Sequence, residues 1–168
     1  MLCVSEKPKA DPIDQLGVAF VEIQRDVPEF FAMEKREKQR WALAALREGI
    51  AKVTASSDLD PASFEEAFRE AERLDFENTW RWKAKASSDR KLRAEVWIEH
   101  DVEECRLVGV ISTKAGERLA RSTLVTTAPD EWAFNRHLGR IRWEDGRKVV
   151  LEDKKGTVVG EMEVEVPR

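Results

Sequence analysis

The chain of 168 residues carries 33 acidic and 29 basic side chains, for a net charge of −4, and 42% of its residues are apolar. These values exclude a disordered or fibrous chain and fit a single domain with a sizeable core. No apolar run approaches the roughly 20 residues of a membrane span, and there is no basic-then-apolar leader, so we expect a soluble protein with no membrane partner. Two cysteines, Cys3 and Cys105, are too few for a secreted disulfide framework, so we expect a cytoplasmic location.

The first part of the chain, residues 11–76, is predicted to be helical, and residues 1–10 are expected to form a flexible arm because they lack periodicity. Asp11 and Pro12 are typical of a helix start, and Pro28 is expected to end that helix. Apolar residues at helical spacing support this first helix: Ile13, Leu16, Phe20, Ile23 and Val27.

A second helix is predicted from Pro28 or Glu29 to about Val53. Between Met33 and Trp41 the sequence EKREKQR has no apolar residue, so we expect this stretch to stay outside the core. Its second half has an apolar stripe that we expect to be buried: Leu43, Leu46, Ile50 and Val53.

The aromatic segment at the start of the second helix has two interpretations. Phe30, Phe31 and Met33 either lie under a neighbouring element or form an exposed apolar tip that awaits a partner helix. A third helix is predicted to be capped by Asp60 and opened by Pro61.

From Asn78 the apolar period changes from 3.6 to 2, which predicts antiparallel strands over residues 78–166. In the first strand, TWRWKAKA, Trp80, Trp82 and the alanines are expected on one face and the basic residues on the other. A hairpin that pairs His100 with Cys105 also pairs Ile98 with Leu107, Val96 with Gly109 and Ala94 with Ile111, which places apolar residues opposite one another.

Turn signals divide the rest of the chain. Ala115-Gly116, Asp145-Gly146 and Lys155-Gly156 are each expected to connect two strands, and we expect the second of them to be a type I′ turn. Residues 128–137 are predicted to form a helical turn or a long connection, capped at Asp130 or earlier. The predicted fold class is α+β, with three N-terminal helices packed on a curved antiparallel sheet or partial barrel of about seven strands.

Motifs for catalysis and cofactors are sparse. The chain has neither GxxxxGK[ST] nor GxGxxG, so we expect no nucleotide cofactor, and with two histidines and two cysteines we expect no metal. The one reactive grouping is His100 and Cys105, where an imidazole beside a thiol is the first requirement of a nucleophile. The carboxylates of the intervening loop oppose this role because they raise a thiol pKa. A small enzyme or ligand-binding barrel that uses this pair is one alternative function.

A second alternative is binding of a nucleic acid or phosphate ligand. Residues 79–168 hold 18 basic and 16 acidic side chains, whereas residues 1–78 hold 11 and 17. Basic residues that alternate along two strands form a phosphate-binding surface if their faces coincide, and otherwise they solvate the outside of a sheet. They are Arg81, Lys83, Lys85, Arg140 and Arg142.

The function that we expect first is a non-enzymatic interaction module, such as an adaptor, regulator, inhibitor or small subunit of an assembly, whose partner is another protein. Trp97 is predicted to lie beside Val108 and Val110, on the face opposite Val96, so the second face of the sheet is not purely polar. The candidate contact surfaces are this face and the aromatic segment: Phe30, Phe31, Met33, Trp97, Val108 and Val110.

Overall fold

The computed structural model describes residues 1–164. Over these residues the chain is α+β, with four helices and ten strands in three sheets. It divides into two units, the first comprising Met1–Glu77 and the second beginning at Asn78. Within the described part, no helix is both long enough and apolar enough to cross a membrane.

The first unit opens with three strands: β1 (Leu2–Val4), β2 (Ile13–Gln15) and β3 (Val18–Ile23). Their order in the sheet is β1-β3-β2, with β1 parallel and β2 antiparallel to β3. The prediction of a first helix is therefore wrong, because this segment forms β2 and β3. The prediction of a flexible arm over residues 1–10 is wrong where β1 lies.

A two-residue turn explains why this segment forms a hairpin rather than the predicted helix. Leu16 and Gly17 have φ values of 54° and 77°, as a type I′ turn requires. The Asp14 carboxylate accepts a hydrogen bond from the Gly17 N–H at 3.2 Å. Val21 and Ile23 are both buried at the strand period of two, and β-branched residues favour strands. The apolar spacing fits both a helix and a strand here, and the turn selects the strand.

Three helices complete the first unit: α1 (Val27–Ala32), α2 (Lys35–Ala55) and α3 (Pro61–Arg73). Pro28 does not end a helix but lies in the first turn of α1, where a missing N–H costs nothing. The Asp26 carboxylate caps that helix by accepting the Glu29 N–H at 3.0 Å.

The predicted second helix is broken in two at Met33, whose ψ of 151° is extended. A capping box between Glu34 and Glu37 then starts α2. The predicted start of α3 is confirmed, since the Asp60 carboxylate accepts the Ala62 N–H at 3.0 Å and Pro61 is the first helical residue.

The core of the first unit lies between β3 and α2. Val21 and Ile23 of the sheet pack with Ala45 of the helix. The polar stretch of α2 does reach the interior, contrary to expectation, because Gln39 is buried and accepts a hydrogen bond from Arg36 at 3.0 Å. The predicted buried stripe is only partly buried, since Leu43 is inside while Leu46 is 45% exposed.

Seven strands and one short helix form the second unit: β4 (Thr79–Ala86), β5 (Leu92–His100), β6 (Cys105–Thr113), β7 (Arg118–Thr127), α4 (Glu131–Asn135), β8 (Arg140–Trp143), β9 (Lys148–Glu152) and β10 (Val158–Glu163). They pair as two sheets, β4-β5-β6-β7 and β10-β9-β8, rather than as the single sheet predicted. The predicted last strand extended to residue 166, and residues 165 and 166 lie outside the described part.

The predicted register of β5 with β6 is confirmed. His100 pairs with Cys105, and the pairs continue along both strands as expected. The inward face of the sheet β4-β5-β6-β7 packs against the sheet β10-β9-β8 in one core. The largest members of this core are Ile98, Leu107, Ile111, Ile141 and Leu151.

A β-bulge in β4 changes the predicted alternation of its side chains. Arg81 pairs with Trp97, but the register then shifts, and Lys83 and Lys85 pair with Val96 and Ala94. Cross-strand partners share a face, and successive residues of β5 alternate between faces. Arg81 therefore does not share a face with the two lysines, contrary to the prediction.

The predicted strand connections are present, with one difference in geometry. Gly116, Gly146 and Gly156 all have positive φ, as turn glycines do. Asp145 does not, so the turn before β9 is not the type I′ turn predicted. Its carboxylate instead accepts the N–H groups of the two residues that follow Gly146, at 3.0 and 2.8 Å.

We predict that Leu16→Asn stabilises the first unit by about 1 kcal/mol, because asparagine adopts a left-handed φ more readily than leucine. Leu16 is fully exposed, so the substitution removes no packing. Urea unfolding followed by the helical circular dichroism signal measures the change. Gly17→Ala serves as the opposing variant and is expected to lower stability by a similar amount. A Leu16→Asn protein less stable than the parent would contradict the turn assignment.

Candidate functional site

His100 and Cys105 lie opposite each other, but they do not form a reactive pair. The His100 Nε2 donates to the Pro129 carbonyl at 3.0 Å, and Nδ1 is then left to accept from the Asn78 amide at 3.3 Å. The ring also contacts Phe134, with centroids 5.7 Å apart. Both ring nitrogens thus bind groups other than the thiol, and the histidine ties the end of β5 to the segment before α4.

The Cys105 thiol is not activated as a nucleophile. It is fully buried, and desolvation raises its pKa to about 11. A nucleophilic cysteine needs the opposite shift, so the structure argues against the predicted reactive pair. Within residues 1–164, no group of three or more histidine, cysteine, aspartate or glutamate side chains is arranged to hold a metal ion.

The five basic residues predicted to share a surface are not brought onto one face. Arg81 lies in the four-stranded sheet and pairs with Glu95 at 3.0 Å. Arg140 and Arg142 lie in the sheet β10-β9-β8. Both of the latter bind Glu152, with the Arg142 Nε 2.7 Å from its carboxylate. The carboxylate of Glu152 is 3% exposed, and the two guanidinium groups hold its pKa below the ordinary value, Arg140 most strongly.

The predicted contact patch around Trp97 is not an open apolar surface. Val108 is 1% exposed, and Trp97 and Val110 are half-buried. The Trp97 indole N–H donates to Glu95 at 3.0 Å. Glu99 on the same face pairs with two further arginines. Ion pairs therefore occupy the face on which we expected a protein contact.

The aromatic segment at α1 is partly available. Phe30 packs on Trp41, with ring centroids 4.8 Å apart, and meets the neighbouring Phe31 edge-on at 5.7 Å. Phe30 and Met33 are half-buried, but Phe31 is 73% exposed. Of the two interpretations, burial holds for Phe30 and an exposed tip for Phe31.

The first unit also has an apolar cleft that we did not predict. It holds about 500 Å³ and lies between the small sheet and the helices α2 and α3. We call it the α2 groove. Its lining is almost entirely apolar: Met1, Leu2, Gly17, Val18, Ala19, Val21, Leu46, Gly49, Ile50, Val53, Thr54 and Phe64.

The α2 groove continues between α2 and α3 as a second cleft of about 270 Å³ that shares Ile50, Thr54 and Phe64 with the first. Phe68 lies at its base and carries the Arg47 guanidinium 5.2 Å above its ring. The groove narrows at Gly49, where the Leu2 side chain lies close to the α2 backbone. A Cβ added to Gly49 would lie 2.6 Å from that side chain.

The sequence contained one signal for this groove, the apolar stripe of α2. Leu46 and Ile50 belong to that stripe, and helical spacing alone does not show whether a stripe faces the core or an open cleft. The opposite wall comes from β3, which we predicted to be helical, so the cleft could not be anticipated.

No protein-family model, no curated protein and no solved structure matches the chain.

We predict that Glu152→Gln weakens the acid sensitivity of the second unit. A carboxylate whose pKa is lowered by folding stabilises the fold above its unfolded pKa of about 4.3, and this contribution is lost as the pH falls through the folded pKa. Denaturant unfolding between pH 7 and pH 3 measures it, and the variant is expected to be less stable at pH 7 and to lose less on acidification. Glu163→Gln, an exposed glutamate of β10, is the matched control. Parallel pH profiles for Glu152→Gln and the parent would contradict the pairing.

We predict that iodoacetamide at pH 8 modifies Cys3 well before Cys105. With a pKa of about 11, only about one Cys105 thiol in a thousand is ionised at that pH, and the side chain is buried. Mass spectrometry of peptides after timed quenching gives both rates. Urea-unfolded protein, in which the two rates should converge, is the control. Equal rates in the folded protein would show that Cys105 is accessible.

Proposed function

We propose that the chain is a non-enzymatic protein-interaction module and that its first unit binds an apolar segment of a partner protein in the α2 groove. The observation that carries the proposal is the exposure of Leu46 in the lining of an apolar cleft. Leu46 is 45% exposed although it belongs to the same stripe as the buried Leu43. Apolar lining of this extent is typical of sites that bind side chains of another molecule.

The size and shape of the groove favour a peptide segment. The two connected clefts run along α2, with β3 on one side and α3 on the other. An amphipathic helix or an extended strand inserts two or three apolar side chains into a groove of this kind. Burial of each such side chain contributes roughly 1.5–3 kcal/mol before the costs of association are subtracted.

Charge selects the class of partner. Residues 1–77 hold 11 basic and 17 acidic side chains, and α3, which forms one wall, has four glutamates and two arginines. We therefore propose that the bound segment carries basic residues beside its apolar ones. Charge complementarity of this kind raises association rates and disfavours acidic competitors.

The non-enzymatic character of the proposal rests on the two groups most suited to catalysis. The Cys105 pKa is raised rather than lowered, and both nitrogens of His100 are hydrogen-bonded within the second unit. Phe31, 73% exposed, is proposed as an additional contact of the first unit. An adaptor, regulator, inhibitor or small subunit would use such surfaces.

Two synthetic peptides test the proposal. Both carry leucines at helical spacing, and the remaining positions are lysine in one and glutamate in the other. We expect fluorescence anisotropy to show binding of the lysine peptide alone, and Leu46→Glu to weaken it about tenfold or more.

The control separates groove binding from charge attraction. Leu74 has the same 45% exposure as Leu46 but does not line the groove. Leu74→Glu adds the same charge, so it should leave the affinity within about twofold. If attraction to the acidic unit alone held the peptide, Leu46→Glu would tighten binding. That result, or the absence of binding by the lysine peptide, would refute the proposal.

A further inference from the structure

We propose that the second unit binds the phosphoryl group of a small organic phosphate in a cleft at one end of the four-stranded sheet. The cleft holds about 480 Å³, within the range of small-molecule sites. Four cationic side chains line it: Arg90, Arg93, Lys114 and Arg118. We call it the turn cleft, because two of the four come from the β4–β5 and β6–β7 turns.

The strand register builds the floor of the turn cleft. Arg93 pairs with Ser112 across β5 and β6, and Ser112 pairs with Arg118 across β6 and β7. A short serine thus stands between two long arginines on one face of the sheet. This row leaves a gap with a hydroxyl at its base and a guanidinium group on either side, which are donors suited to phosphate oxygens.

Hydrogen bonds join the two turns and fix the backbone that carries Arg90 and Lys114. The Lys114 N–H donates to the Lys91 carbonyl at 3.0 Å, which holds one turn against the other. The Asp89 carboxylate accepts from the buried Ser87 hydroxyl at 2.7 Å and from the Lys91 N–H at 3.1 Å. Asp89 is therefore engaged within its own turn, and the backbone that carries Arg90 is fixed before any ligand binds.

The positive charge of the turn cleft is largely uncompensated. Of its four cations, only Arg93 has an ion-pair partner among residues 1–164, namely Glu95 at 3.0 Å. Among the described residues that line the cleft, Glu95 alone carries a carboxylate, and it also binds Arg81 and the Trp97 indole. Within the described part of the chain, Arg90, Lys114 and Arg118 therefore line the cleft without an ion-pair partner, an arrangement that attracts a multiply charged anion.

Arg90 supplies a separate reason to assign binding to this cleft. Its φ of 58° lies in the left-handed region, which glycine adopts at no steric cost and arginine does not. The arginine thus occupies a position for which its backbone preference is poor, and its side chain lines the cleft. Non-glycine residues held in this region concentrate at ligand sites.

The distribution of charge favours a single phosphoryl group over a nucleic-acid strand. Elsewhere on the two sheets, arginines are paired with Glu95, Glu99 or Glu152. A nucleic acid needs a continuous track of available cations. Lys83 and Lys85 of β4 also have no ion pair among residues 1–164, but their register places them on the face opposite Arg93, so they do not extend the turn cleft into such a track. Val110 provides an apolar wall of the cleft for the body of the ligand.

Titration calorimetry of the full chain at low salt tests the assignment, with phenyl phosphate, phenyl sulfate and a thymidine oligonucleotide as probes. We expect phenyl phosphate, the dianion with an apolar body, to bind more tightly than the other two. Arg90→Gly is expected to weaken it about tenfold, as for the loss of one charge-assisted hydrogen bond, without destabilising the fold. Ser112→Val should weaken it with no change in charge.

Lys155→Ala removes a cation from the β9–β10 turn, outside the cleft, and should leave the affinity within about twofold. Three results would each overturn the proposal. They are no saturable binding of phenyl phosphate up to about 10 mM, an equal loss in Arg90→Gly and Lys155→Ala, and tighter binding of the oligonucleotide than of phenyl phosphate. The last would assign the surface to nucleic acid. None of them bears on peptide binding by the first unit.

Discussion

The antiparallel pairing of β5 with β6 is the constraint on which the second unit depends. Because side chains alternate between the faces of a strand, the register that joins His100 to Cys105 also decides what lies inside and what lies outside. A shift of β5 by one residue would turn Ile98 toward solvent and Glu95 into the core. The ion pairs of the outer face and the row through Ser112 follow from the same register.

Charge compensation then decides which surfaces are available for binding. Glu95, Glu99 and Glu152 each bind two arginines, so most arginines on the described strands of the second unit are engaged in ion pairs. In the described part of the chain, the first unit presents an apolar groove and the second a cationic cleft. The composition of the chain, which is nearly balanced in charge, does not reveal this division.

Prediction from the sequence succeeded where local signals agreed. The cap at Asp60 and the hairpin register of β5 and β6 required only short-range patterns, and both are confirmed. It failed over Ile13 to Ile23, where apolar spacing fits either a helix or a strand and the turn at Leu16 decides. The α2 groove could not be predicted because the β2–β3 hairpin forms one of its walls. The bulge at Trp82 could not be predicted because no local sequence pattern marks it.

The parallel strand β1 gives the groove a property beyond its shape. It is three residues long and lies at the edge of its sheet, and elements of this kind detach at low free energy while the rest of a fold persists. Its Leu2 closes the groove over Gly49. Transient release of this strand would lengthen the groove without disturbing the helices, so the length of segment that the groove can hold depends on how firmly β1 pairs with β3.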